Sequence, residues 1–343
     1  MKRFAILLCL MLAAACSRPV PEGVTELTYA SPYPPGHPFS RADQTWMEFV
    51  EERSEGRIRI RPIWSGALLS SDMSMTEIRH GVADIGLITP IYTRGGTHLL
   101  RTQTGFYSGA DSIETQLALY RCMAASEPQF DRELEGLKLL ALQGGVLPGI
   151  LTRSQKVEEL GDLTGLRIRA PTELLPVLDN LGADPVDLPM GEVYSALAKG
   201  VIDGVVAPPE TLQSLHFGEV TDYFFDLRIP RGAYPSRAMD MDVWRSLTDE
   251  ERAILEESIA VWEGALADEN RAAAAAGEAI AADTITITPA NDEDQQRFDE
   301  LYLREGEANA RALASMGIDA MTAYRVARES LVARDTVICG DTM

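Results

Sequence analysis

The stretch DLTGLRIRAP, residues 162–171, decides the fold because a strand can be read from it directly. Apolar and basic residues alternate in its centre, LRIRA at 166–170, as they do in a strand, and Pro171 ends the pattern. The segments that follow alternate in type: a helix at 172–181, a strand at 184–188, a helix at 191–199 and a strand at 201–207. Strands connected by helices indicate parallel pairing.

The same alternation extends towards the N-terminus. Strands are predicted at 27–31, 57–64, 83–89, 137–142 and 147–152, and helices near 40–55, 71–80 and 112–127. The predicted fold class is therefore α/β, with mostly parallel sheets flanked by helices. Folds of this class bind ligands in a crevice beyond the carboxyl ends of their strands.

The C-terminal third has a different pattern. The sequence TDEE at 248–251 has the spacing of a capping box, which begins a helix. An Ala-rich run with helical periodicity continues to about residue 283, which predicts a helix of roughly 35 residues and about 50 Å. A helix of this length can brace two domains at once; the alternative is a helical hairpin packed on one domain. A short strand at 284–289 and helices at 292–316 and 319–334 are predicted beyond it.

Length and charge limit the classes of partner. The 343 residues allow two domains of ordinary size. With 52 acidic and 31 basic residues the chain carries a net charge of −21, which argues against nucleic acid as a partner. A small anionic ligand remains compatible with this charge, because it requires only one or two well-placed cations.

The N-terminus has the features of an export signal. Lys2 and Arg3 precede the apolar run 4–15, and Ala13-Ala14-Ala15 forms a small-residue cleavage site. Residues 1–15 are therefore predicted to be a signal peptide and residues 16–26 a polar tether. The junction LAAAC at 12–16 also resembles a bacterial lipobox, although its Leu lies four residues before Cys16 rather than three. Lipidation of Cys16 is expected, and the alternative is ordinary secretion with a free Cys16.

The remaining cysteines and histidines indicate no metal site. Cys9 leaves with the signal peptide, so Cys122 and Cys339 remain if Cys16 is lipidated. In an oxidising compartment these two either form a disulfide or stay as separate thiols. The four histidines show no metal-ligand spacing, and no nucleophile elbow, P-loop or dinucleotide-binding motif occurs. We therefore expect no catalysis, no metal and no cofactor.

Segments along most of the chain carry a family resemblance. In order they are PGHP at 35–38, EGRIRI at 55–60, GAL at 66–68, IRHGVADIG at 78–86, DLTGLRIRAP at 162–171, GADPV at 182–186, EVYSAL at 192–197, GVIDG at 200–204 and WRSL at 244–247. Together they resemble the DctP-type substrate-binding proteins of tripartite ATP-independent periplasmic (TRAP) transporters. The resemblance covers nearly all of residues 27–334.

The resemblance implies a two-domain clamshell that closes on an organic acid without catalysis. A protein of this type delivers its ligand to the membrane subunits of a permease that an ion gradient drives. Domain I is expected to comprise residues 27–147 and 237–343, and domain II residues 148–236. The strands near 147–152 and 234–242 would cross between the domains.

The resemblance also implies which residue binds the ligand carboxylate. Arg169 matches the arginine of the family's signature segment, and a guanidinium suits a carboxylate because it offers a planar, bidentate fork. Arg167, two residues away on the same strand, is a possible substitute. Many members carry another arginine near 147–151 and an asparagine where this chain has Ala207. Apolar groups stand in for them, so Ala207 is expected at the ligand, which points to a monocarboxylate with an apolar or aromatic body.

Further pocket residues are expected near strand ends, by analogy with the family. They are Trp64, Thr89, Tyr92, Phe106, Tyr107 and Asp240. For Trp64 the alternative is packing in the core or between domains.

Two other functions remain open at the level of sequence. One is a binding lipoprotein that serves an ABC-type permease or a sensor. The other is an exported hydrolase whose site has no recognised motif.

Overall fold

The structure is a computed structural model that describes residues 23–93 and 95–340. The predicted signal peptide and Cys16 lie outside the described residues. The strands are β1 (Thr25–Ala30), β2 (Ile58–Ile63), β3 (Ile85–Leu87), β4 (Leu137–Gln143), β5 (Gly149–Thr152), β6 (Arg167–Arg169), β7 (Asp184–Val186), β8 (Gly204–Ala207), β9 (Tyr223–Asp226), β10 (Tyr234–Asp240), β11 (Thr286–Pro289), β12 (Leu331–Ala333) and β13 (Thr336–Val337).

Helices connect most of these strands. They are α1 (Pro38–Arg53), α2 (Ser74–Arg79), α3 (His98–Thr102), α4 (Ile113–Ser126), α5 (Gln129–Glu133), α6 (Leu175–Asn180), α7 (Met190–Ala198), α8 (Thr211–Ser214), α9 (Met241–Ser246), α10 (Asp249–Thr284), α11 (Asp292–Ala312) and α12 (Ala320–Ser330). Among the described residues, none of these helices combines the length and the apolar composition needed to cross a membrane.

Two large sheets form the frame, and each is mostly parallel as predicted. The first sheet has the order β2-β1-β3-β10-β4, in which β10 runs against its neighbours. The second has the order β11-β9-β5-β8-β6-β7, in which β5 runs against its neighbours. The two antiparallel strands are those that follow the crossings between the sheets. The chain enters the second sheet at β5 and returns to the first at β10.

The expected division of the chain into domains I and II stays a prediction. One segment, residues 286–289, does not lie in the sheet that the division implies. Strand β11 was expected with domain I, but it pairs in parallel with β9, from Thr286 opposite Tyr223 to Pro289 opposite Asp226. Residues 286–289 therefore extend the second sheet, because β9 offers them an unpaired sheet edge.

Helix α10 is a single helix of 36 residues, so the prediction of one long helix is confirmed and the hairpin alternative is wrong. Thr248 and Glu251 form the predicted capping box at its start. On the first-sheet side Trp262 stacks on Trp46 of α1, with ring centroids 3.6 Å apart. On the second-sheet side Gly277 lies against the backbone of Pro209. The helix thus packs on both halves of the molecule.

Two glycines of α10 provide a matched test of this packing. A Cβ at Gly277 would lie 2.0 Å from the carbonyl oxygen of Pro209, whereas a Cβ at the exposed Gly264 would have no atom within 4 Å. We expect Gly277→Ala to destabilise the fold by about 1–3 kcal/mol. Gly264→Ala should stabilise it by about 0.5–1 kcal/mol, because alanine loses less backbone entropy. Urea unfolding of both variants checks this, and equal effects would contradict the close contact.

A disulfide joins Cys122 in α4 to Cys339 near the C-terminus, with a Cα–Cα distance of 5.3 Å. It closes a loop with a sequence separation of 217 residues. Cross-links typically stabilise by about 2–4 kcal/mol, chiefly by restricting the unfolded chain. Of the two alternatives left open by the sequence, the structure has the bonded one.

Candidate functional site: a cleft between the two sheets

A cleft opens where the carboxyl ends of strands from both sheets face each other. The segments after β1 and β3 form one wall, those after β6 and β8 form the other, and the crossing segments at Pro148 and 230–234 close one side. The cavity volume is about 130 Å³. An engineered cavity of about 150 Å³ is known to hold benzene, so this cleft suits a small organic molecule.

Arg169 occupies the centre of the second-sheet wall. It is the last residue of β6, and its side chain extends from the carboxyl end of the strand into the cleft, with the residue only 2% exposed. Its Nε donates to the carbonyl oxygen of Leu188 (2.7 Å), and its Nη2 donates to the hydroxyl of Tyr92 (2.9 Å). Among the described residues, no hydrogen-bond partner lies on Nη1. The guanidinium is therefore held rigidly with one donor face available.

Tyr92 and Thr89 belong to the opposite wall, in the segment after β3. The hydrogen bond from Arg169 to Tyr92 therefore spans the cleft, and the guanidinium also lies 5.9 Å from the centre of the Tyr92 ring. Thr89 lines the cleft as well, but its hydroxyl donates to the carbonyl oxygen of Ser71. Of the residues predicted for the pocket, the structure brings these three together.

Three aromatic side chains, two in the segment after β1 and one in the first turn of α1, form a further part of the first-sheet wall. The rings of Tyr33 and His37 stack at 4.1 Å, and Phe39 contacts both edge-on. His37 caps α1 by accepting a hydrogen bond from the N–H of Phe39. Burial lowers the pKa of His37 to about 3, so its ring is neutral at pH 7. This wall therefore offers flat, uncharged surface.

Two glutamates also line the cleft. Burial raises the pKa of the half-buried Glu173 to about 7, and it does the same for Glu210, which is 5% exposed. Neither was predicted from the sequence. The cleft therefore carries less negative charge at neutral pH than its composition suggests.

Arg231 is a second cation in the cleft, and it was not predicted from the sequence. Its Nη1 lies 3.6 Å from Oε1 of Glu210. A Cβ on Gly145 would lie 2.4 Å from the Arg231 guanidinium carbon, so the guanidinium packs directly on that glycine. The family resemblance places a second cation at 147–151, in the first crossing, where this chain has none. The feature of the sequence that could have indicated Arg231 is its position shortly before β10, the second crossing strand.

The raised pKa of Glu173 gives a pH-dependent prediction. Between its ordinary pKa of 4.5 and about 7, the folded protein holds a proton that the unfolded chain has lost. Stability from this group therefore falls as the pH rises through that window. We expect Glu173→Gln to match the wild type near pH 4 and to exceed its stability near pH 8 by at most about 3 kcal/mol. The other titrating groups are common to both proteins and cancel in the difference. Urea unfolding across this range checks it, and a difference that does not vary with pH would contradict it.

Three aromatic residues predicted for the pocket lie outside the cleft lining. Trp64 is partly buried and packs edge-on against the core residue Tyr29 of the first sheet, with ring centroids 5.6 Å apart. Phe106 and Tyr107 are fully buried beside the other face of that sheet. The hydroxyl of Tyr107 donates to Gln103 (2.7 Å). These three rings pack in or against the core beside the first sheet and do not line the cleft.

The other predicted residues are also held away from the cleft. Arg167 pairs with Asp203 (3.1 Å) and donates to the carbonyl oxygen of Gly200, so it is not positioned to replace Arg169. Ala207 is the last residue of β8 and is buried in the core, while its neighbours Val206 and Pro208 line the cleft. Asp240 caps α9 by accepting from the N–H groups at 242 and 243.

The described part of the chain contains no cluster of three or more His, Cys, Asp and Glu side chains that could hold a metal ion.

Comparisons with known proteins place the chain in a family. Residues 29–304 match the family described as bacterial extracellular solute-binding protein, family 7 (DctP). The chain is 25% identical over 270 residues to the ectoine-binding periplasmic protein TeaA of Halomonas elongata, which covers 75% of this chain and 76% of TeaA. It is also 25% identical over 211 residues to an uncharacterized protein of Sinorhizobium fredii, and it spans 38% of that protein's length.

Solved structures share the fold. A TRAP periplasmic solute-binding protein from Bordetella bronchiseptica, with bound (R)- and (S)-mandelate, has a TM-score of 0.77 at 22% identity, over 89% of this chain and 98% of that one. A marine metagenome TRAP protein in complex with metahydroxyphenylacetate has a TM-score of 0.78 at 22% identity, over 89% and 98%. The predicted two-domain α/β fold is confirmed by these likenesses and by the two observed sheets. Because the family match extends over most of its length, the chain belongs to the DctP family of bacterial extracellular solute-binding proteins.

Proposed function

We propose that this protein binds a small organic acid in the cleft between its sheets and delivers it to the membrane subunits of a TRAP permease. The observation that carries the proposal is Arg169, a buried guanidinium with an unused donor face in a cleft of small volume. A buried positive charge that forms no ion pair within the described part of the chain is costly, and a ligand carboxylate compensates it. Binding alone, without catalysis, is the proposed activity.

The rest of the cleft favours a monocarboxylate with an apolar or aromatic body. Tyr33, Phe39 and the neutral His37 offer ring faces, while Ile91 and Met190 add apolar surface. The mandelate and metahydroxyphenylacetate of the two similar structures are acids of this kind. They support the proposal.

A thermal-shift screen tests the ligand class. The panel pairs each carboxylic acid with a neutral analogue of the same skeleton, such as phenylacetate with 2-phenylethanol. An acid at 100 times its Kd should stabilise the fold by about 2.7 kcal/mol, and its neutral partner should have no effect. If no acid shifts the transition, or the neutral partners shift it equally, the proposed function is wrong.

Domain closure on the ligand is part of the proposal. The wall-to-wall hydrogen bond between Arg169 and Tyr92 supports it, because a contact of this kind can form only when the walls are close. Solution scattering should show a smaller radius of gyration when a binding acid is added to saturation. An unchanged radius at full saturation would count against closure.

The proposed location is the periplasm, with anchoring to a membrane through a lipid on Cys16. The family is extracellular, and the junction at 13–16 supports cleavage before this residue. Mass spectrometry of the N-terminal peptide should show a diacylglyceryl adduct on Cys16. An unmodified Cys16 on a soluble mature protein would overturn the anchor.

A further inference from the structure

Glu210 presents a buried oxygen that nothing in the described protein uses. The residue lies in the loop after β8, separated from the strand by Pro208 and Pro209; it lines the cleft and is 5% exposed. Its Oε2 is buried without a hydrogen-bond partner among the described residues. Buried acceptors are nearly always paired, so an unpaired one in a binding cleft requires an explanation.

The neighbouring groups among the described residues do not provide a partner for Oε2. Glu210 stands at the N-cap of α8, yet its side chain accepts no hydrogen bond from that helix. Arg231 faces the other oxygen, Oε1, at 3.6 Å, which is too long for a good hydrogen bond. The carboxylate is therefore neither a helix cap nor one half of a tight ion pair.

The backbone behind Glu210 prevents it from retreating. Helix α10 approaches this loop so closely that a Cβ on Gly277 would lie 2.0 Å from the carbonyl oxygen of Pro209 and 3.1 Å from the backbone nitrogen of Glu210. Burial raises the pKa of Glu210 to about 7, even though the charge of Arg231 beside its other oxygen lowers it. The acceptor is thus fixed at the wall of the cleft that also contains Arg169.

We propose that Glu210 selects ligands that carry a hydroxyl or ammonium donor in addition to their carboxylate. The carboxylate binds Arg169, and the donor satisfies Oε2 of Glu210. This inference rests on the proposed function and narrows its substrate class to hydroxy acids and amino acids. An acid without a donor binds less well because it leaves Oε2 buried and unpaired when the cleft closes.

Calorimetry with matched ligands tests the selection. Phenylacetate is compared with mandelate, phenylglycine and 3-hydroxyphenylacetate, and 3-methylbutanoate with 2-hydroxy-3-methylbutanoate and valine. Within at least one series, a donor-bearing member should bind about tenfold or more tightly than the parent acid. If the parent acids bind as tightly as every substituted member, the inference is wrong while the proposed function stands. If no acid of either series binds, the proposed function itself fails for this class.

Two variants test whether Glu210 causes the preference for donor-bearing ligands and whether the preferred donor is a hydroxyl or an ammonium. Glu210→Leu removes the acceptor, so it should bind all members of the responding series within about threefold of one another. Glu210→Gln keeps an acceptor oxygen but loses the charge. It should therefore retain most of a preference for a hydroxyl and lose a preference for an ammonium. A donor preference that survives in Glu210→Leu would overturn the assignment to this residue, and the wild-type comparison remains decisive if a variant fails to fold.

Discussion

Replacing Arg169 by alanine should lower the affinity for a carboxylate ligand by roughly 30- to several-thousand-fold, which corresponds to about 2–5 kcal/mol. The residue is 2% exposed and fixed by Leu188 and Tyr92, so its charge acts in a site that excludes most water. The interaction is strong there because the effective dielectric constant is lower than in bulk water. Arg169→Lys should also weaken binding, since an ammonium cannot contact a carboxylate in bidentate fashion and hold Tyr92 at once.

Arg167 provides the matched control for this experiment. It lies on the same strand and has the same side chain, but it pairs with Asp203 away from the cleft. Arg167→Ala should leave affinity within about threefold of the wild type. Calorimetry with an acid identified by the thermal-shift screen measures all three variants. If Arg169→Ala folds normally and keeps its affinity within that same margin, Arg169 is not the carboxylate-binding residue.

Replacing Asp43 by alanine should reduce the free energy of unfolding by about 3–5 kcal/mol. Asp43 and Arg237 form an ion pair at 2.8 Å, and both side chains are 0% exposed. Asp43 also accepts from the indole N–H of Trp262 (2.9 Å) and from the hydroxyl of Tyr29. Burial alone would lower the pKa of Arg237, but Asp43 raises it above its ordinary value, so the arginine stays charged. Without Asp43 this charge and two further donors are left buried.

Asp268 offers a control of the same type on the surface. It pairs with Arg271 at 2.8 Å, but its side chain is 78% exposed. Asp268→Ala should change stability by less than about 0.5 kcal/mol, because water replaces the partner of an exposed arginine. Urea unfolding of both variants gives the comparison. If Asp43→Ala loses no more stability than Asp268→Ala, the buried pair does not contribute to stability as expected.

The features that the sequence predicted well depend on neighbours in the chain. The capping box at Thr248 and the alternation of strands with helices are local patterns, and both are present in the structure. Arg169 could be placed because its position at the end of a strand combines with a family motif. The disulfide partner of Cys122 could be named only as an alternative, because pairing depends on distance in the fold.

The cleft residues that were missed depend on contacts between distant segments. Glu210 and Arg231 are brought together across a loop and a crossing segment, and the only local signal is the position of Arg231 shortly before the second crossing strand. Phe106 and Tyr107 show the opposite error. An aromatic residue near a strand end suits a pocket and a core equally well, and only the packing of the first sheet decides between them. Asp240 likewise has a side chain that could contact a ligand, but it caps a helix.

The position of β10 also governs the order in which the molecule can be assembled. This strand lies between β3 and β4 in the first sheet, although β3 and β4 both come before the whole central part of the second sheet in the chain. The first sheet therefore stays divided until residues 234–240 have been synthesised. Pairings between such distant segments form slowly, because a long loop has to close before they contribute. A polypeptide that cannot complete its first sheet early stays incompletely folded for longer, which suits export of the chain before it folds.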